Sequence, residues 1–69
     1  MTMKAFLRAV YHKSHIELVE NEEKHYETVF VGVRDDVPDE YAERGVSFFS
    51  PKVIEFDGKD ILVIRVFLK

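Results

Sequence analysis

His12, His15 and His25 are the first side chains to consider for chemistry, because a chain with no cysteine can hold zinc only through imidazole and carboxylate. His12 and His15 flank Lys13-Ser14. If that dipeptide closes a hairpin, the two rings oppose each other on one face, near enough to share a metal ion. His25 opens the next extended segment at its far end, about five residues or roughly 16 Å away at strand rise, so it does not complete the set. The acids Asp35, Asp36, Asp39 and Glu40 offer hard oxygen ligands suited to Mg²⁺ or Ca²⁺. They lack the alternating acids, turn glycine and distal glutamate of a calcium loop, and read instead as acids at the start of a helix.

Nucleophilic chemistry has less support. Ser14, Ser47 and Ser50 sit in no Gly-x-Ser-x-Gly elbow, and neither GxGxxG nor GxxxxGK[ST] is present. Glu55 with His12 or His25 would make an acid and base pair only by accident of folding. The expectation is a non-enzyme with no cofactor and no bound metal.

Whatever function exists must be carried by a very small scaffold. The 69 residues form a single domain, 1–69, near the lower size limit for a core that holds a fold unaided. With 46% hydrophobic and 33% charged residues, and only three Gly and two Pro, the composition is that of a folded domain. Disulfide staples are absent, so the core must suffice or a partner must contribute. No apolar run near 18 residues and no leader signature is visible, which gives the expectation of a soluble, cytoplasmic protein with no membrane contact.

The hydrophobic pattern has mainly period two, the strand signature. Met3 to Tyr11 alternates and reads as a first strand, Ile16 to Glu20 as a second, and Tyr26 to Val33, rich in β-branched and aromatic residues, as a third. Short links at Lys13-Ser14 and Asn21 to Lys24 predict a meander. Tyr11 then faces Ile16, Ala9 faces Leu18, Leu7 faces Glu20, and Ile16 faces Val29. In that register Leu7, Ala9, Tyr11, Ile16, Leu18, Val29, Val31 and Val33 share one face. The rival is a helix from His15 to Tyr26, opened by a Ser14-x-x-Glu17 capping box. Residues 38–44 read as a short helix, with Pro38 and the acids in its first turn and Arg44 and Gly45 at its end.

Val46 to Phe56 and Ile61 to Leu68 read as a closing hairpin through Asp57-Gly58-Lys59-Asp60. Pairing Phe56 with Ile61, Ile54 with Val63 and Val53 with Ile64 sets like against like. That register is preferred over a two-residue Asp57-Gly58 turn, which would set Glu55 against Asp60. Pro51 marks a bend, bulge or edge. The predicted fold is α+β, an antiparallel sheet of about five strands in the order β-β-β-α-β-β with one short helix, open or curled into a small barrel. That order is also the element order of oligonucleotide-binding barrels, an analogy no residue motif carries.

Function is then a matter of surfaces. The last strand is apolar on both sides, with Leu62, Ile64, Val66 and Leu68 on one and Ile61, Val63 and Phe67 around Arg65 on the other. A strand of that kind is normally covered twice, and one short helix covers only part of one face. Acids cluster in residues 17–27 and 34–44, with no concentrated basic stripe. The sequence therefore points to a protein-interaction module, an inhibitor or adaptor, contacting its partner through Asp35, Asp36, Asp39, Glu40 and Glu43 together with Ile61, Val63, Arg65 and Phe67. Two alternatives stand beside it. One is a structural homodimer; the other is a single-strand nucleic-acid binder using Tyr26 and Phe30, with Phe6 nearby, as stacking platforms. Nucleic acid is the less favoured partner because Glu17 and the acidic loops oppose it.

Overall fold

Met3, Phe6, Leu7 and Val10 recur at helical spacing, and helix is what they form. In the computed structural model, which describes residues 1–22 and 25–69, α1 spans Met3–Arg8. Thr2 is its N-cap, the hydroxyl accepting from the Ala5 amide at 3.2 Å. The expected first strand, Met3 to Tyr11, is therefore corrected. Its alternation rested on Ala5, Ala9 and Tyr11, all of which are exposed, while Met3 and Phe6 are buried on the helical stripe. The cap and the stripe together outweigh a period-two reading built on small residues.

The chain turns at Ser14, whose amide donates to the Tyr11 carbonyl at 2.9 Å, and enters β1, His15–Glu22. Since α1 is no strand, the Tyr11–Ile16, Ala9–Leu18 and Leu7–Glu20 pairs do not form, and the rival helix over His15 to Tyr26 is replaced by strand. β1 pairs antiparallel with β2, His25–Val33. The predicted link at Asn21 to Lys24 is shorter than expected, because Asn21 pairs with Tyr26 and Glu22 with His25; Glu23 and Lys24 lie outside the described residues. Ile16 consequently faces Gly32 and not Val29. An odd shift in register moves side chains to the opposite face, so Val31 and Val33 leave the side occupied by Ile16 and Leu18. A bulge at Leu18/Val19 corrects the count along the strand.

Residues 34–45 connect β2 to β3, Val46–Phe56, and contain two 3₁₀ turns, Arg34–Asp36 and Asp39–Tyr41, where a helix over 38–44 was expected. Val37 and Pro38 are extended between the turns (ψ 123° and 142°), as the residue before a proline prefers. The segment also has to reach. The sheet order is β2-β1-β4-β3, so it crosses from one edge to the other, three strand spacings or about 14 Å.

β3 pairs antiparallel with β4, Lys59–Leu68, through the two-residue turn Asp57-Gly58, with φ of 51° and 75°. Two positive φ values in succession are the hairpin geometry that matches strand twist. Phe56 faces Lys59 and Glu55 faces Asp60, so the like-with-like register preferred from the sequence is corrected: turn geometry decides, and the acid pair is tolerated at an exposed tip. Pro51 lies on β3 at the sheet edge, with a bulge at Val46/Phe48, in keeping with its missing donor.

Among the described residues the sheet thus has four strands where five were expected. It is mixed, with β1 and β4 parallel, and it is open, with β2 and β3 as free edges, so the barrel is not formed. The element-order analogy with oligonucleotide-binding barrels falls with the first strand. What holds is a small α+β fold. One face carries the core, in which Met3 and Phe6 of α1 pack on Ile16, Leu18, Val46, Val66 and Leu68. Arg44 ties the crossing segment down on that side, bonding Glu20 at 2.6 Å and the Lys69 carbonyl at 2.9 Å.

The register of the tip has a measurable consequence. Asp60→Thr removes one of two facing carboxylates and adds a β-branched residue, and should raise unfolding free energy by about 0.5 kcal/mol in urea titration. Had Phe56 faced Ile61, Asp60 would lie in the loop and the change would be neutral.

Candidate functional site

The other face of the sheet has neither helix nor strand over it among the described residues. Strand alternation and register place His15, Glu17 and Val19 of β1 there, beside Val63, Arg65 and Phe67 of β4. β3 adds Phe48, Lys52 and Ile54, and β2 adds Tyr26, Thr28 and Val31. Val19 and Val63 are nonetheless fully buried. With no covering element, they are roofed by longer side chains from neighbouring strands.

The roof over Val19 is an aromatic row running across the strands. Tyr26 meets Phe67 edge-on at 5.2 Å between centroids, and Phe67 stacks on Phe48 at 4.2 Å with 19° between ring planes. The Arg65 guanidinium carbon stands 5.2 Å from the Phe67 centroid, within cation–π range. Tyr26 and Phe48 keep 56% and 50% of their surface in solvent, so the row is an outward-facing apolar surface and no part of the core.

At its centre lies a buried charge. Glu17 is 6% exposed; its Oε2 accepts from the Thr28 hydroxyl at 2.8 Å, and its Oε1 faces Arg65 Nε at 3.6 Å and Lys52 Nζ at 3.9 Å. Those two contacts are ion pairs beyond hydrogen-bond reach, leaving Glu17 Oε1 and Arg65 Nε buried without a hydrogen-bond partner. A carboxylate is held in this apolar surface by two cations and one hydroxyl.

The residues expected to bind a partner are divided between two sides. Ile61, Val63, Arg65 and Phe67 lie together on the open face, as the alternation of the last strand required. Asp35, Asp36, Asp39, Glu40 and Glu43 belong to the crossing segment on the helix side. There Asp35, Asp39 and Glu43 line a shallow groove with Lys4, Arg8 and Arg34, and Arg34 bonds Asp35 at 2.7 Å. Asp35, Asp39 and Glu43 accordingly face the basic side of α1, while Asp36 and Glu40 are exposed on the crossing segment. The proposed stacking trio also separates: Tyr26 stays on the open face, Phe30 packs half-buried against the core, and Phe6 is inside it. The His12 ring lies 4.6 Å from that of Tyr11, tilted by 50°, and the Lys13-Ser14 hairpin that would have set it opposite His15 does not form. Among the described residues no three His, Asp or Glu side chains gather around a common point, and no helix is long and apolar enough to cross a membrane.

Phe48, Lys52 and the partnership of Glu17 with Arg65 were missed by sequence reasoning. A signal for the first two exists, since Phe48, Ser50, Lys52, Ile54 and Phe56 alternate along one side of β3, but Pro51 interrupts the pattern and drew attention to the break. Glu17 and Arg65 lie 48 positions apart and meet only through the parallel β1–β4 pairing, which no hairpin rule predicts.

No protein-family model, curated protein or solved structure matches this chain.

The buried carboxylate makes the next expectation. Glu17→Ala leaves Arg65 and Lys52 facing each other without their counter-charge, and should lower unfolding free energy by about 1–3 kcal/mol. Pairing an apolar residue at 17 with Arg65→Leu should recover most of that loss, because removing both partners removes the uncompensated charge. Urea denaturation of the single and double variants measures the coupling.

Proposed function

We propose that this chain is a small, non-enzymatic protein-interaction module, an adaptor or inhibitor, that docks a partner on the open face of its sheet. The observation that carries the reading is the solvent-facing aromatic row Tyr26, Phe67 and Phe48 on a sheet face over which no helix or strand lies among the described residues. Rigid aromatics around a partly desolvated charge are the usual anchors of protein interfaces. The broad faces of the molecule extend 32 by 29 Å, enough for the roughly 800 Å² per partner of a stable complex. Ile61, Arg65 and Phe67 are the docking residues of β4 in this reading, with Val63 buried beneath the surface they form.

The acids of the crossing segment take a different part. Asp36 and Glu40 are exposed on the opposite side, so a partner on the sheet face does not touch them. They are available to steer association or to meet a second protein, which suits an adaptor. Two other occupants, single-stranded nucleic acid and a second copy of the chain, are distinguished by experiment.

Tagged wild-type protein and the variants Phe48→Glu and Tyr26→Glu are used for nuclease-treated affinity capture from the host lysate, with quantitative mass spectrometry. Because both rings are half in solvent, the variants should keep the wild-type circular dichroism and a cooperative melt, at a midpoint lowered by the loss of packing on Phe67, while losing a stoichiometric partner by about ten-fold or more. Partners retained by both variants but lost with Glu40→Lys would move the docking site to the crossing segment. Partners lost on nuclease treatment would replace the protein by nucleic acid.

A further inference from the structure

Charge is segregated across the sheet in a way the total conceals. The chain as a whole carries −3. On the open face, alternation and register place Lys52, Lys59 and Arg65 against the single carboxylate of Glu17, an excess of two positive charges. The acids of the hairpin, Glu55 and Asp60, alternate onto the helix side, as do Glu20 and Glu27. Glu20 is held there by Arg44. Asp35, Asp36, Asp39, Glu40 and Glu43 follow the crossing segment on that side. Among the described side chains, the open face is thus the positive face of an acidic protein.

Positive charge at this face is also incompletely used. Glu17 neutralises at most one of the two cations beside it, at distances of 3.6 and 3.9 Å, and the Arg65 and Lys52 side chains keep 30% and 43% of their surface in solvent. The arrangement therefore has room for one more carboxylate, received by Arg65 and Lys52 between the aromatic row and the aliphatic side chains of Ile54 and Ile61.

Resting on the reading of this face as a docking site, we infer that its occupant is an acidic protein segment in which one or two carboxylates are interspersed with apolar side chains. The carboxylate meets Arg65 and Lys52, and the apolar groups lie along Tyr26, Phe67 and Phe48. A second copy of this chain fits less well, because two faces with the same excess of positive charge repel each other and would bury four cations near two carboxylates. A nucleic-acid strand fits less well too. It brings a phosphate with every nucleotide to a face holding three cations, two of which are already paired with Glu17.

The test selects from a phage-displayed library of random short peptides on immobilised full-length protein, with Phe48→Glu as counter-selection. Selected peptides should be enriched in Asp and Glu alongside Leu, Ile or Phe. Their binding should weaken about ten-fold with Arg65→Gln and, as a second variant at a more exposed position, with Lys52→Gln, and should weaken as salt rises. Thermal melts confirm that each variant is folded. Peptides that bind the face with no preference for acids overturn this inference and leave the docking site standing. Peptides that bind Phe48→Glu as well as wild type, or a library that yields none, remove both. Tighter retention of random single-stranded DNA than of any peptide assigns the face to nucleic acid. A sedimenting dimer that Phe48→Glu disperses assigns it to a second copy.

Discussion

The parallel pairing of β1 with β4 is the constraint from which the rest of the molecule follows. Parallel neighbours cannot be joined by a tight turn. Here the link is the whole of β2, the crossing segment and β3, so the two hairpins end up on opposite edges of the sheet and the crossing segment must traverse one face to connect them. α1 packs on that same face. Among the described residues the covering elements are thereby committed to one side, and the central strand β4, apolar on both sides, turns Val63 and Phe67 toward a face that no helix or strand covers.

A chain of this size has few ways to manage such a face. Leaving Val19 and Val63 in water would forgo about 1.5 kcal/mol or more for each. The sequence covers them with its own side chains. Tyr26 and Phe48, placed on the two edge strands, lean on Phe67 of the central strand, and Lys52 and Arg65 extend toward Glu17. Cross-strand aromatic contact and snorkelling cations do what a second helix would do in a larger domain. The consequence is that burial and display are achieved by the same side chains: the rings that shield Val19 are the ones that face solvent.

Much of the strand content was legible because it is local. β2, β3 and most of β1 follow from alternation and β-branched content, and Ile61 to Leu68, read as a strand, falls within β4. The N-terminal segment failed for a physical reason. Met3 to Tyr11 satisfies a period of two only if Ala5 and Ala9 count as core residues, whereas Met3, Phe6, Leu7 and Val10 satisfy 3.6 with larger groups and a threonine cap. Weighting positions by apolar volume would have favoured the helix. Both hairpin registers failed in the same direction, toward loops longer than those formed, because matching of side chains was ranked above turn geometry. Beyond the β1–β2 bulge the slip is three places, and an odd slip exchanges faces, so Val31 and Val33 leave the side of Ile16; along β3–β4 it is two places for every pair but Val46–Leu68, which leaves the faces unchanged. The acids of 34–44 lie on the crossing segment, outside either ladder.

Glu17 shows what the open face is built to tolerate. A carboxylate that is 6% exposed in the middle of an apolar surface does not add net stability over a well-packed aliphatic residue, since the desolvation of the ion pair offsets most of its attraction. Its effect is on what can lie against it. With Glu17 in place, Arg65 and Lys52 are held at the centre of the face and not swept to its edge, and any group that covers them must bring an acceptor or leave cations desolvated. An indiscriminate apolar surface would invite aggregation through Phe48, Phe67 and Tyr26. A surface with fixed charge at its centre penalises purely apolar contact, whether from a misfolded chain or from a second copy, and admits a partner whose polar groups are correctly placed. The same side chains that roof the sheet thus set the chemical terms on which it can be covered.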